Sequence, residues 1–585
     1  MHCSQVKVSI IFALLCLLNP PLASAKDSPI FLDQGSEWTE ERRQRYYTQD
    51  QGSQIIPLRW IVALEHDGKP FMDQHLSRYG YLANPNSEFP SLPVGFTVAK
   101  GDSGRVLGMT CAACHTRQII VDGKQYRADG GPAIVDFQSF LSDLKQAVEH
   151  VIEDDNAFNT FAQRVLGPSP SEGEKQQLNN ELQQWFLPYS TLIERSLPTP
   201  AWGPSRLDAV SMIFNRLAGL DLGEPPTYLI PENIQVANAP VRYPFLWNAA
   251  RQDFTQWPGF ASNGNFIFGL SRNLGEVFGV FADFRPIRDD SRILGINYLH
   301  KNSANFHGLT ELEQLIWKIG PPQWPWAIDQ DLAEQGYTIF SRPTAQGGCV
   351  ECHGIKPGQF RSLTHQDKIW ATPLLDVGTD SLEHHILERT VKTGVLEGAN
   401  IPLLKSQGLK AEDTAFNVLG LAVIGSILQH YNPLDHWENH LVSDIENELG
   451  INHKLNKHLA NAFRKPVEVV QLQQANSNKS GQKYPYESRV LEGIWAAAPY
   501  LHNGSVPTLA ELLKPAEQRI SQFKIGPNYN IENIGLATEQ THFDYTLNTT
   551  DCSKRNSGNS RCGHEFGTNL SPAEKDALLE YLKTL

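Results

Sequence analysis

The chain has 585 residues, with 50 Lys and Arg against 64 Asp and Glu, and a net charge of −14 with histidine neutral. That acidic balance lacks the basic footprint that nucleic-acid binding requires. It suits a solvated surface or contact with a basic partner protein. At roughly 150 residues per domain, the length allows two to four domains with substantial cores.

The opening stretch MHCSQVKVSIIFALLCLLNPPLASA holds a lone Lys7, an apolar run from Val8 to Leu18, two prolines and the small residues Ala23-Ser24-Ala25. This pattern predicts a secretory signal peptide over residues 1–25, cut after Ala25. The apolar run is too short to span a membrane, and no later segment reaches the roughly 18 uninterrupted apolar residues that a spanning helix needs. The expectation is therefore a periplasmic or secreted protein without a membrane span. Of the eight cysteines, Cys3 and Cys16 leave with the leader, four sit in two C-x-x-C-H units, and Cys552 and Cys562 remain. In an oxidising compartment the last two close a short disulfide loop; the alternative is a pair of free or metal-binding thiols.

In chain order, the first unit, Cys111-Ala-Ala-Cys114-His115, follows a turn-rich GDSGRVLGMT. Apolar residues at three- and four-residue spacings then predict helices over 137–152 and 173–185. A Pro-, Asn- and aromatic-rich stretch covers 239–260. Further helices are predicted around 273–281 and 309–319, before the break Gly320-Pro321-Pro322-Gln323-Trp324-Pro325. That break divides an N-terminal domain, 26–325, from a C-terminal domain, 326–585. An amphipathic helix over 331–341 precedes the second unit, Cys349-Val-Glu-Cys352-His353. Ser571 as N-cap and Pro572 at the first helical position open a terminal helix that runs to Leu585. The predicted fold class is mainly α: two cytochrome c-like haem domains with extra helices and long irregular loops.

The C-x-x-C-H spacing carries its own chemistry. Two thiols three residues apart on one helical turn can bond both vinyl groups of a haem, and the adjacent imidazole swings under the iron. A zinc knuckle would want further Cys or His pairs nearby, and a thioredoxin-like redox pair has no need of the following His. Two covalently bound haems c are therefore expected, held by Cys111, Cys114 and His115 and by Cys349, Cys352 and His353.

Together with these units, the string Gly493-Ile494-Trp495-Ala496-Ala497-Ala498-Pro499-Tyr500-Leu501-His502-Asn503-Gly504 resembles the bacterial di-haem cytochrome c peroxidase superfamily. The length and the segment Gly563-His564-Glu565-Phe566-Gly567 look closest to the branch of the secreted rubber oxygenases and di-haem peroxidase-like proteins. The resemblance implies one six-coordinate, electron-relaying haem and one haem with an open iron face. It makes His564 the sixth ligand of the C-terminal iron, with His502 as its rival; otherwise His502 lies near a haem propionate or at the domain interface. Residues 126–132 contain no His where several peroxidases carry a displaceable ligand, so the N-terminal iron is expected to be open. Trp257-Pro258-Gly259 resembles the family's W-x-G segment and implies an electron-relay Trp257, with Glu276 at the family's separation as distal acid/base. The plainer readings are interface packing for Trp257 and an exposed helix carboxylate for Glu276. The resemblance also allows a calcium ion, partly on backbone carbonyls matching Ala497 and Pro499.

Splitting peroxide needs a base that takes the proton from the inner oxygen and returns it to the outer one. The leading expectation is thus an enzyme reducing hydrogen peroxide at the N-terminal haem, with electrons relayed from the C-terminal haem and supplied by a small donor protein. One alternative is a dioxygenase that cleaves an apolar, polyisoprenoid-like substrate, with Phe260, Phe266 and Phe268 forming an apolar pocket. The other is a non-enzymatic electron-transfer cytochrome.

Overall fold

A computed structural model of the protein describes residues 28–585, except 88, 90–91, 103, 265, 293, 359–368, 401–407 and 432–482. The predicted signal peptide falls outside the described residues.

The helices follow their sequence signals. Phe137–Glu153 forms where apolar side chains recur on one face, and Asp136 caps it by accepting the Ser139 amide. Glu172–Ser196 starts on a capping box between Ser171 and Glu174. It runs well beyond the expected end, through Pro188, because Leu192 and Ile193 beyond the proline are buried in the core. Phe266–Gly279 begins earlier than predicted, whereas Phe306–Ile316, Gln330–Phe340 and Pro572–Thr584 lie close to their predicted places.

Ala209–Leu220 and Ala415–Tyr431 have no counterpart in the sequence reading. Every residue from Val210 to Leu220 is buried, the polar Ser211, Asn215 and Arg216 included, so burial here does not follow the polar side of the helix.

The expectation of a mainly helical chain is corrected to a mixed one. Small two- and three-stranded sheets accompany the helices. Many of their strands are only two residues long, too short for an alternating pattern to register. The turn-rich segment before the first C-x-x-C-H unit is a β-hairpin, Phe96–Gly101 paired with Gly104–Met109. A second hairpin, Thr116–Val121 with Lys124–Asp129, follows at once.

Buried side chains gather into three main clusters. One holds residues between Ile55 and Phe281. A second joins Trp38, Tyr46 and Phe245 to Trp495, Tyr529 and Leu582, so it spans the Pro-rich break. The third forms where Ala209–Leu220, Phe266–Gly279 and Ala415–Tyr431 meet. Among the described residues no helix is long and apolar enough to cross a membrane.

Candidate functional site

The first C-x-x-C-H unit is clamped between its two hairpins. Cys111–Cys114 makes a single helical turn, and Ala133 N donates to Cys114 O at 3.0 Å. Gly95 permits the close approach of the preceding loop: its φ is +77°, and a Cβ there would lie 2.0 Å from Ala113 N. The second hairpin ends at Asp129, which is fully buried and accepts hydrogen bonds from Trp38 Nε1 (2.8 Å), Arg43 Nε (2.7 Å) and Tyr47 OH (2.5 Å). These ties fix the helix Glu40–Thr48, whose Tyr46 OH donates to His115 O at 2.9 Å.

His115 Nδ1 donates to Pro244 O at 2.8 Å, which fixes the tautomer and leaves Nε2 unprotonated and able to ligate a metal. Burial pushes its pKa down to about 4, against the opposing pull of the Pro244 carbonyl, so the ring stays neutral as a metal ligand must. Cys111, Cys114 and His115 line a cavity of about 160 Å³ together with Gln256, Arg272, Asn273 and Glu276. His115 is the only histidine among its described lining residues.

Among the polar groups that line this cavity, Gln256 and Glu276 are paired with each other. Glu276 sits on the helix Phe266–Gly279, and Gln256 Nε2 donates to its Oε1 at 2.6 Å. Burial pushes the Glu276 carboxyl upward, while the Gln256 hydrogen bond and Arg272 act against it. Gln256 and Trp257 both adopt positive φ, +71° and +25°. Such backbone is costly for non-glycine residues and holds only where surrounding structure enforces it.

The second unit is built on the turn Val350–His353, and His353 Nδ1 donates to Arg489 O at 2.7 Å. Cys349, Cys352 and His353 line a cavity of about 170 Å³, with His564 on its wall. The His353 and His564 ring centroids are 6.1 Å apart. Two imidazoles bound to opposite faces of one metal, with bonds of about 2 Å, would have centroids roughly 6 Å apart. The spacing therefore fits an iron between them.

The loop that carries His564 is tightly held. Cys552 and Cys562 form a disulfide, and Arg519 donates to Arg561 O (2.7 Å), Gly563 O (2.8 Å) and His564 O (3.2 Å). His564 itself has φ +52°, and its Nδ1 is buried with no hydrogen-bond partner among the described residues. Burial, His353 and Arg519 push its pKa down to about 3.

His502 also lines the second cavity, and its ring is tied to other side chains. Its Nε2 bonds Asp380 Oδ2 at 2.8 Å, and its ring stacks on Tyr486 at 3.8 Å.

Five residues line both cavities: Arg242, Phe245, Trp257, Glu487 and Arg489. Trp257 is 6% exposed, donates Nε1 to Arg242 O at 3.1 Å and lies under the Arg242 guanidinium at 4.8 Å. Arg489 Nε and Nη1 are buried without hydrogen-bond partners, Nε lying 3.8 Å from Glu487 Oε1 in an ion pair, and a haem carboxylate could accept from these donors. The sequence reading did not single out Gln256, Arg272, Arg242 or Arg489. Arg272 lies four residues before Glu276, so helical spacing alone could have placed the two on one face.

Near the carbonyls considered for calcium, the structure places a cation of the chain itself. Arg117, 1% exposed, donates to Ala498 O and to Pro132 O, the latter at 3.2 Å. Among the described residues no group of three or more His, Cys, Asp or Glu is placed to hold a metal ion.

Residues 485–524, which contain the motif from Gly493 to Gly504, match a family described as RoxA-like, cytochrome c-like. The uncharacterized protein y4iJ of Sinorhizobium fredii (strain NBRC 101917 / NGR234) is 27% identical over 634 residues, covering 96% of this chain and 94% of its own. The uncharacterized protein y4iM of the same organism is 36% identical over 415 residues, covering 68% of this chain and 74% of its own. The chain thus belongs to the family of y4iM, and its C-terminal part carries a RoxA-like cytochrome c segment.

Proposed function

We propose that the protein is an exported di-haem c oxidoreductase that reduces hydrogen peroxide at the His115 site, using electrons relayed past Trp257 from the His353 site. The observation that carries this reading is the unlike polar furniture of two similar attachment sites. His353 faces a second imidazole at 6.1 Å, whereas the cavity of His115 is furnished with Gln256, Arg272 and Glu276. The disulfide between Cys552 and Cys562 supports an oxidising compartment. The RoxA-like cytochrome c segment supports a haem-dependent oxidoreductase of the rubber oxygenase-like branch.

Haem c held by each C-x-x-C-H unit supplies an iron with redox and oxygen chemistry. The chain's own residues do the rest. Pro244 O and Arg489 O orient the two proximal imidazoles. Glu276 holds and moves a proton at its carboxyl oxygens, and Gln256 fixes the orientation of that carboxyl. Trp257 places an indole between the two cavities. A small basic donor protein fits the net charge of −14.

Electron paramagnetic resonance of the resting ferric protein tests the reading: one high-spin and one low-spin haem are expected, with the high-spin signal lost on adding peroxide. Two low-spin haems inert to peroxide would instead make the protein a plain electron carrier.

A second reading rests on one observation. An apolar cavity of about 140 Å³, lined by Phe260, Phe268, Phe416, Leu419 and Val423, shares Gln256, Arg272 and Glu276 with the cavity of His115. Such a pocket suits a hydrocarbon beside a dioxygen-binding iron, as expected of Phe260 and Phe268; the side chain of Phe266 lies outside the described ones. Carbonyl products from a polyisoprene emulsion under air, formed without peroxide, would favour this reading over the first.

A further inference from the structure

We infer that Arg272 is a fixed cation that makes the His115 cavity selective for small anions over neutral ligands of the same size. The inference rests on the proposal that the His115 haem has an open face.

Arg272 lines both the His115 cavity and the apolar cavity beside it, one helical turn before Glu276. Its side chain is 11% exposed. Three of its N–H groups are spent: Nε on Asn273 Oδ1 at 3.2 Å, Nη1 on Asn263 Oδ1 at 2.6 Å, and Nη2 on Glu313 Oε2 at 2.5 Å. A guanidinium carries five N–H groups in a rigid fork, so one on Nη1 and one on Nη2 have no hydrogen-bond partner among the described residues.

The supports are themselves fixed. Asn273 Nδ2 donates to Glu313 Oε2 at 3.0 Å, and Asn263 Nδ2 donates to Ala249 O at 2.8 Å and Gln252 O at 3.0 Å. Gly269 leaves the room that Glu313 needs, since a Cβ there would lie 2.8 Å from Glu313 Oε1.

Glu313 belongs to Phe306–Ile316 and lines neither cavity, so the acid stands behind the guanidinium and the guanidinium stands at the wall. A cation held rigid at the wall of a buried, mainly apolar cavity attracts an anion more strongly than the same charge in solvent. Glu276 opposes it least when protonated, the form that burial favours.

The test uses the full-length haem-loaded protein and two small ligands that differ in charge. Fluoride is titrated into the ferric protein and carbon monoxide into the ferrous protein, each followed by its absorption spectrum. Arg272→Met is expected to weaken fluoride binding by about tenfold or more, the effect of one lost charge-assisted hydrogen bond. Carbon monoxide affinity should stay within about twofold, since a neutral ligand gains little from the charge.

Arg272→Lys keeps the charge and should retain part of the fluoride affinity; it also serves if the methionine variant fails to fold. Unchanged fluoride affinity in Arg272→Met, or equal losses for fluoride and carbon monoxide in either variant, would overturn the inference while leaving the open-iron reading intact. A parent protein that binds neither ligand would overturn the open-iron reading itself, and this inference with it.

Discussion

Gln256 donates its side-chain amide to Glu276 Oε1 at 2.6 Å, in the wall shared by the His115 cavity and its apolar neighbour. The bond favours the carboxylate over the acid, but burial has the larger effect and sets the Glu276 pKa above the ordinary 4.5. Abstracting a proton from peroxide needs the carboxylate form. Peroxide turnover should therefore fall as pH drops through a value above that of a free glutamate. Gln256→Leu removes a carboxylate-favouring bond and should shift this acid limb to higher pH. Glu276→Gln should abolish the limb and lower kcat/KM by about 10²- to 10⁴-fold. An acid limb that stays in place in Glu276→Gln would remove Glu276 from the mechanism.

The same shift bears on stability with a definite sign. A group whose folded pKa lies above its unfolded value contributes stability at low pH and loses it as pH rises through the folded value. Ionised Glu276 thus costs stability on the alkaline side. Glu276→Gln should match or exceed the parent in thermal midpoint at pH 8, even though it is the less active protein. A clearly lower midpoint at pH 8 would mean that the carboxylate is stabilised by contacts beyond Gln256 and Arg272.

Trp257 fills the space between the two cavities, with Nε1 on Arg242 O at 3.1 Å. Trp257→Phe keeps an aromatic ring but loses the hydrogen bond, at a cost of about 1 kcal/mol in stability. Rapid-mixing absorption should show peroxide reacting as fast as in the parent, while transfer of the second site's electrons slows. Equal transfer rates in the two proteins would return Trp257 to a packing role.

Much of this site was legible because chemistry confined it to short spacings. The two C-x-x-C-H units, the pairing of Cys552 with Cys562 and the capped terminal helix each rest on residues close together in the chain, whereas His564 was reached only through the family resemblance. What was missed depends on long-range assembly. Arg489 matters because its carbonyl meets His353 and its guanidinium faces both cavities, and neither relation leaves a local pattern. Ala415–Tyr431 was invisible for a different reason: apolar on nearly every side, it lacks the polar face that marks a helix in sequence. The hairpin before Cys111 was read as turn-rich because its strands face the core with mixed residues rather than in strict alternation.

His564 and His502 both line the second cavity, and geometry separates them. His564 faces His353 with ring centroids at 6.1 Å, whereas His502 Nε2 is engaged by Asp380 at 2.8 Å. His564→Ala should convert the second haem from low-spin to high-spin in the resting ferric spectrum. His502→Ala should leave that spectrum low-spin while costing about 1–3 kcal/mol, because Asp380 loses a buried partner. Spectral conversion by His502→Ala instead would reverse the assignment.

Gly336 sets the crossing of Gln330–Phe340 over the terminal helix Pro572–Thr584. A Cβ at this glycine would lie 2.0 Å from Ala577 O and 2.6 Å from the Tyr581 Cβ, so the helices meet backbone to side without room for a methyl. Leu578 and Leu582 on the terminal helix line the second cavity, which ties this crossing to the haem pocket. Gly336→Val should cost about 1–3 kcal/mol or more from overpacking, read as a lowered denaturation midpoint. It should also perturb the low-spin spectrum of the second haem and spare ligand binding at the first. The neighbouring exposed change Glu334→Ala, on the same helix, should do neither. A Gly336→Val protein with parental stability would show that the two helices can separate without disturbing the pocket between them.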